Sequence, residues 1–165
     1  MKLYVTRHGP AEDQAPSGVD ADRALTPAGR GRVIGVARAR VGAGELPLLI
    51  VTSPLVRAVQ TAEIMALETR LGERDGRVVV MRDVAPGGSQ VRLAHRLAAE
   101  QRKRVMFVGH EPDLSALVSA LLGGFERPFE KAMVVAVHVP PGAGACGLRF
   151  VLDPRSMSLE SPAGA

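Results

Sequence analysis

The feature that most restricts the fold is the alternation of short apolar runs with longer segments of helical periodicity. The clearest run covers residues 48–52, where four consecutive apolar residues leave no polar face. A run of this kind is typical of a strand that is buried on both faces. The predicted strands are residues 2–6, 48–52, 78–81, 105–108, 132–139 and 148–152. Because helical segments separate the first four, we expect βαβ units and a largely parallel sheet.

The predicted helices have recognisable starts. Thr26 precedes Pro27, which combines a capping hydroxyl with a proline at the first helical position and predicts a helix ending near residues 41–42. Ser53-Pro54 repeats this arrangement and predicts a second helix to about residue 72. A third is expected from Ser89 to about residue 101, and a fourth from about residue 112 to the glycines at 123 and 124.

These elements predict an α/β fold, a three-layer α/β/α sandwich built on a mostly parallel sheet. The last two strands follow one another through a turn-rich link at residues 140–144, so we expect them to form an antiparallel edge. Residues 1–165 are expected to make a single domain, with surface coil from about residue 153 onward.

Composition narrows the class of protein. Apolar residues make up 46% and charged residues 23%, as in a soluble globular protein. One cysteine, Cys146, excludes an intrachain disulfide, and no segment has the length of a membrane span. We therefore expect a cytoplasmic protein without a membrane partner. The net charge of +4 favours anionic ligands, but aromatic residues at 3% offer no stacking platform for single strands, so we expect no nucleic-acid partner.

Two histidines and two arginines follow the predicted strands at the point where each strand ends. Arg7 and His8 follow the first strand, Arg57 comes shortly after the second, and His110 follows the fourth. Ligands of open α/β sheets bind outside the carboxyl ends of the strands, so we expect these side chains to meet at one edge.

The chemistry of this set suits a phosphoryl group. Arginine donates two parallel hydrogen bonds to phosphate and stays charged. A neutral imidazole can attack phosphorus and form a covalent phosphohistidine that water later cleaves. Gly9 allows the backbone to come close to the ligand, and Arg57 lies in the first turn of a helix, whose positive end favours the same anion.

Three segments resemble the motifs of the histidine phosphatase superfamily, also called the phosphoglycerate mutase-like group. They are residues 3–9 (LYVTRHG), 53–62 (SPLVRAVQTA) and 108–112 (VGHEP). The short chain and residues 25–29 (LTPAG) and 109–115 (GHEPDLS) are most similar to the SixA-type phosphohistidine phosphatases.

The resemblance implies a phosphoglycerate mutase-like fold that spans nearly the whole chain. It also implies His8 as the catalytic nucleophile, with Arg7, Arg57 and His110 completing the phosphate pocket, and it implies no metal and no cofactor.

The general acid is the part of the site that the sequence leaves open. Asp83, shortly after the third strand, is the first candidate, and Glu111, beside His110, is the second. A phosphohistidine substrate releases an imidazole, which can be protonated before cleavage and so depends less on an enzyme acid than an alkoxide leaving group does. Gln60 and Thr61 are interpreted as packing and helix residues, and Ser53 as a helix cap.

The function predicted from the sequence is therefore a protein phosphohistidine phosphatase that uses His8 as its nucleophile. Its partner is expected to be a phosphorylated protein. The alternatives are a phosphatase for a small phosphorylated metabolite and a non-catalytic module that binds a phosphorylated ligand. A mutase is disfavoured because the short chain offers little material for a lid that excludes water.

Overall fold

The computed structural model describes residues 1–162, in which the strands form one seven-stranded sheet. The strands are β1 (Lys2–Arg7), β2 (Leu49–Thr52), β3 (Arg77–Val80), β4 (Arg104–Gly109), β5 (Val134–His138), β6 (Gly147–Leu152) and β7 (Leu159–Glu160). The α-helices of the described chain are α1 (Pro27–Gly42), α2 (Val56–Glu68), α3 (Gln90–Ala99) and α4 (Asp113–Leu122). The strand order is β3-β2-β4-β1-β5-β6-β7. The six predicted strands are present, with bounds that differ by one or two residues.

The sheet has a parallel side and an antiparallel side. β3, β2, β4 and β1 are parallel, whereas β5, β6 and β7 each pair antiparallel with the preceding strand in the order. Arg7 of β1 is level with Gly109 of β4, and Thr52 of β2 is level with Val108. The segments that follow these three strands therefore leave the sheet at the same edge, as predicted.

Helices cover both faces of the sheet and complete three layers. Leu3 and Val5 of β1 belong to a buried apolar cluster with α3 and α4, whereas Tyr4 between them belongs to a second cluster with α1 and α2. Successive side chains of a strand point to opposite faces, so a continuous apolar run supplies both clusters at once. The α/β/α sandwich expected from the alternation is confirmed.

The start of α1 follows the predicted capping chemistry. The hydroxyl of Thr26 accepts from the Gly29 N–H at 3.0 Å, and Pro27 is the first helical residue. The C-terminal end of α4 is marked by Gly123, which adopts a left-handed φ of 73°. A glycine in this conformation is a common helix terminator because it has no Cβ to clash.

Two expectations were wrong. The second helix starts at Val56 rather than at Pro54, with Leu55 at the cap position and no side-chain cap. The Ser53 hydroxyl accepts from the Leu55 N–H ahead of the helix and also contacts His110. The segment after residue 153 is not all surface coil. It contains β7, and Arg127 binds both Asp153 at 3.1 Å and Glu160 at 2.6 Å, which holds this segment against the sheet. Residues 163–165 of the predicted tail lie outside the described residues.

Candidate active site

His8 lies directly after β1 and is held in one orientation by its own loop. The ring is 6% exposed, and Nδ1 lies 2.7 Å from the Gly9 carbonyl oxygen. A carbonyl oxygen can only accept, so Nδ1 carries the proton of the neutral ring. Nε2 is then left with a lone pair. This is the arrangement that a nucleophilic imidazole requires.

The surroundings keep the His8 ring neutral. Burial is the main cause of a pKa lowered to about 3, and the positive character of His110, Arg57 and Arg7 adds to it. The hydrogen bond to Gly9 acts in the opposite direction but is outweighed. Nε2 therefore stays unprotonated throughout the physiological pH range.

His110 follows β4 and faces His8, with the two ring centroids 5.1 Å apart. Its Nε2 lies 2.8 Å from the hydroxyl oxygen of Ser53, which also accepts from the Leu55 N–H at 3.3 Å. The direction of this hydrogen bond depends on the tautomer of His110, since the hydroxyl oxygen can accept from an Nε2–H or donate to the Nε2 lone pair. Nδ1 is buried and has no partner among the described residues.

The pKa of His110 is also lowered, to about 4. Burial is the main cause, and the charge of Arg57 adds to it. The carboxylates of Asp113 and Asp20 oppose the shift without reversing it. Both imidazoles are thus neutral at pH 7.

The two arginines border the same histidine pair. Arg57 is the second residue of α2 and is 6% exposed, and Arg7 is the last residue of β1. The guanidinium of Arg7 is fixed by a 2.6 Å hydrogen bond to the Phe129 carbonyl. In both arginines Nε is buried without a partner in the described structure. The four residues that the strand ends predicted are brought together.

Thr61 and Gly29 fix the loop that carries His8. The Thr61 hydroxyl accepts from the Gly9 N–H at 3.1 Å and donates to the Arg57 carbonyl at 2.7 Å. Gly29 of α1 lies so close to the Pro10 carbonyl that a Cβ there would overlap it. The loop is thereby clamped between α1 and α2.

Gln60 performs a related task, since its side-chain oxygen accepts from the Leu25 N–H at 2.7 Å. The interpretation of Gln60 and Thr61 as packing residues understated their role. The signal in the sequence was their position one turn after Arg57 on the same helix.

One carboxylate beside the site was missed by the sequence analysis. Asp20 lies in a short 3-10 turn (Asp20–Asp22) between β1 and α1. Its carboxylate oxygen Oδ2 is 3.0 Å from the Arg57 guanidinium, and its backbone carbonyl oxygen is 2.8 Å from the same group. Its Oδ1 lies 2.8 Å from Arg23. Hydrogen bonds from Arg23 and Arg57 hold the pKa of the Asp20 carboxyl below its usual value, so the group is ionised at neutral pH.

Two comparisons of the sequence bear on its family. The model of the histidine phosphatase superfamily (branch 1) matches residues 3–76, which include Arg7, His8 and Arg57. An uncharacterized protein of Picosynechococcus sp. is 34% identical over 168 residues, which cover 98% of this chain and 97% of the relative. The chain belongs to the histidine phosphatase superfamily. Membership supports phosphatase activity.

Solved histidine phosphatase structures share the fold. The protein histidine phosphatase SixA complexed with tungstate superposes with a TM-score of 0.86 at 23% identity, covering 96% of this chain and all of that one. A mycobacterial glucosyl-3-phosphoglycerate phosphatase complexed with VO3 gives a TM-score of 0.62 at 21% identity, covering 89% of this chain and 96% of that one.

The two predicted acid candidates of this histidine phosphatase follow different strands of the sheet. Asp83 is in a 3-10 turn (Arg82–Val84) after β3, and its carbonyl lies under Gly88. Glu111 follows His110, but its carboxylate accepts from Ser115 on the next turn at 3.0 Å. The carboxylates that act on the pKa of His110 are Asp113 and Asp20. The role of Asp83 and Glu111 stays a prediction.

Neither a metal site nor a membrane helix is found in residues 1–162. No group of three or more His, Cys, Asp or Glu side chains there could hold a metal ion. No helix of the described chain has the length and apolar character needed to cross a bilayer.

Proposed function

We propose that this histidine phosphatase hydrolyses phosphohistidine in proteins through a covalent phosphoryl intermediate on His8. The observation that carries the proposal is the 2.7 Å hydrogen bond from His8 Nδ1 to the Gly9 carbonyl. It fixes the tautomer whose Nε2 lone pair is available for attack, in a ring that burial keeps neutral.

In the first step the Nε2 lone pair of His8 attacks phosphorus, and a P–N bond forms while the bond to the leaving group breaks. The leaving imidazole of the substrate takes the electron pair of that bond and a proton from solvent, or leaves already protonated. Phosphorus then carries three oxygens and Nε2. The Gly9 carbonyl holds the Nδ1 proton during this step and stabilises the positive charge that develops on the ring.

In the second step a water oxygen attacks phosphorus from the side opposite Nε2. The P–Nε2 bond breaks, its electron pair returns to His8, and the water proton passes to the released phosphate. The net reaction is hydrolysis, and the neutral His8 is regenerated without a cofactor.

Arg7, Arg57 and His110 supply the positive charge and donors that this chemistry needs. In phosphoryl transfer the charge lies on three equatorial oxygens, and catalysis consists mainly of holding them. The guanidinium groups remain charged, and the neutral imidazole of His110 lies beside His8 in the same pocket.

The ionised state of Asp20 removes this carboxylate as a general acid for an alkoxide leaving group. An alkoxide leaving group needs a protonated acid, and the carboxylate on Arg57 is held in its ionised form by two arginines. An imidazole leaving group can be protonated before cleavage. The fold shared with a protein histidine phosphatase agrees with a phosphohistidine substrate. Because the fold is also shared with a glucosyl-3-phosphoglycerate phosphatase, phosphorylated metabolites are the substrates to compare it with.

The test compares turnover of a histidine-phosphorylated protein with phosphoserine peptides and a panel of phosphorylated metabolites. We expect the phosphohistidine protein to be preferred by at least tenfold in kcat/KM. Preference for phosphoserine or a metabolite would overturn the substrate class but leave the catalytic class intact.

The covalent step is tested separately by a denaturing quench at alkaline pH during turnover of radiolabelled substrate. Wild type should retain label that is labile in acid and stable in alkali, and His8→Ala should retain none. His95→Ala, which removes an exposed imidazole on α3, is the matched control and should retain the label. If wild type and His8→Ala were equally inactive on all substrates, the proposal that this protein is an enzyme would be refuted.

A further inference from the structure

Asp20 occupies the part of Arg57 that a phosphate would use. Each terminal nitrogen of the guanidinium donates one of its two N–H groups to Asp20, one nitrogen to the carbonyl at 2.8 Å and the other to the carboxylate at 3.0 Å. The third nitrogen, Nε, is buried. Arginine binds phosphate best through two parallel N–H groups, so the fork available to a ligand is the one that Asp20 covers.

The carboxylate is placed so that it can leave. The Asp20 side chain is 62% exposed, whereas the Arg57 side chain is 8% exposed. Movement of Asp20 therefore costs little packing, while Arg57 keeps its place at the start of α2. Water can solvate the displaced carboxylate.

Arg23 provides a second partner that remains when Arg57 is lost. Its terminal nitrogen lies 2.8 Å from Asp20 Oδ1, the oxygen that does not contact Arg57. Its Nε is anchored independently on the Glu12 carbonyl at 2.6 Å. Asp20 can thus give up Arg57 without becoming an isolated charge.

We propose that Asp20 is an internal competitor for the phosphate position on Arg57 and so determines how strongly this site holds phosphoryl anions. In the empty site its carboxylate neutralises Arg57. A substrate phosphoryl group displaces it toward Arg23, and its return helps to expel inorganic phosphate after hydrolysis. This inference rests on the proposed role of Arg57 as a phosphate ligand.

The competition favours ligands whose oxygens reach several donors of the pocket at once. A phosphoryl group can contact Arg7 and His110 as well as Arg57, whereas a simple carboxylate gains only Arg57 and must displace another carboxylate to reach it. The residue thereby adds selectivity against small monoanions.

The deciding experiment measures binding of orthophosphate and of tungstate by calorimetry, with no turnover required. Asp20→Asn keeps the size of the side chain and removes its charge, and we expect both anions to bind ~3- to 10-fold more tightly than to wild type. Inhibition by orthophosphate during turnover should strengthen by the same factor.

Asp22→Asn is the matched control. Asp22 lies in the same 3-10 turn and is also exposed, but its carboxylate accepts from the Ser17 hydroxyl at 2.7 Å instead of contacting Arg57. It changes the net charge equally, so a purely long-range effect would appear in both variants. We expect anion affinity of Asp22→Asn to stay within twofold of wild type.

The outcomes separate this inference from the proposed function. One outcome is that Asp20→Asn binds the anions as tightly as wild type or more weakly, while Arg57→Gln abolishes binding. Asp20 then orients Arg57 rather than competing for it, so the inference is overturned but the phosphate pocket stands. Tighter binding in both Asp variants also overturns it. If wild type and all variants bind neither anion, the phosphate pocket and the inference fall together.

Discussion

The hydroxyl oxygen of Ser53 lies 2.8 Å from Nε2 of His110, although the two residues follow different strands of the sheet. The same oxygen accepts from the Leu55 N–H at 3.3 Å. A residue that looks like a helix cap in the sequence therefore contacts the candidate site directly.

Removal of this hydroxyl in Ser53→Ala is expected to lower kcat by roughly tenfold, since a hydrogen bond to a buried group contributes about 1–1.5 kcal/mol. KM should change less, because the guanidinium groups remain. Nitrogen chemical shifts of the His110 ring should change, because the hydrogen bond between Nε2 and the Ser53 hydroxyl is lost.

Ser115→Ala is the control for this change, since the Ser115 hydroxyl donates to Glu111 and belongs to α4. It should leave both kcat and the His110 spectrum near wild type. Equal kcat in wild type and Ser53→Ala would show that the hydrogen bond does not control His110.

The low pKa values of His8 and His110, about 3 and about 4, predict how stability depends on pH. Unfolded histidines titrate near pH 6.5, so between about pH 4.5 and pH 6 the unfolded state binds protons that the folded state does not. The free energy of unfolding should therefore fall as the pH is lowered through this window.

His8→Gln tests the contribution of one ring. It should reduce the slope of the unfolding free energy in this window by up to about 1.4 kcal/mol per pH unit, measured by urea denaturation. His95→Gln, at an exposed position, should reduce it by less. An unchanged slope in His8→Gln would mean that the buried ring accepts its proton as readily as the unfolded chain.

The parallel half of the sheet and the four central site residues could be predicted from the sequence, for a physical reason. Strands buried on both faces must be continuously apolar, as residues 48–51 are, so their ends are visible in the sequence. Parallel pairing then brings Arg7 and His110 to one edge without any knowledge of the loops.

Contacts made by loops could not be predicted in the same way. Asp20 reaches Arg57 through a 3-10 turn in a polar segment that has no periodicity. The two-residue strand β7 is too short to show an alternating pattern. The position of Glu111 beside His110 was readable, but its side-chain direction toward Ser115 was not.

The Thr61 hydroxyl joins the His8 loop to α2, so Thr61→Val should weaken both stability and activity. Valine has nearly the same shape but leaves the buried Gly9 N–H without an acceptor, which costs about 1–3 kcal/mol. Thr61→Ser keeps the hydroxyl and should retain most of the activity. Chemical denaturation and kcat should be measured on both variants, and equal behaviour of the two would assign the role of Thr61 to packing.

The close approach of α1 to the His8 loop predicts opposite effects for two glycines of the same helix. A Cβ at Gly29 would overlap the Pro10 carbonyl, and the backbone cannot yield without moving the loop that carries His8. Gly29→Ala should therefore lower the free energy of unfolding by about 1–3 kcal/mol and reduce kcat. A Cβ at Gly31 would enter open space, so Gly31→Ala should stabilise the protein by up to about 1 kcal/mol through helix propensity, with kcat unchanged. Both variants should be measured by denaturant titration and steady-state kinetics. A general effect of alanine in α1 would change the free energy of unfolding of both variants in the same direction, whereas a loop-positioning role of Gly29 would change them in opposite directions.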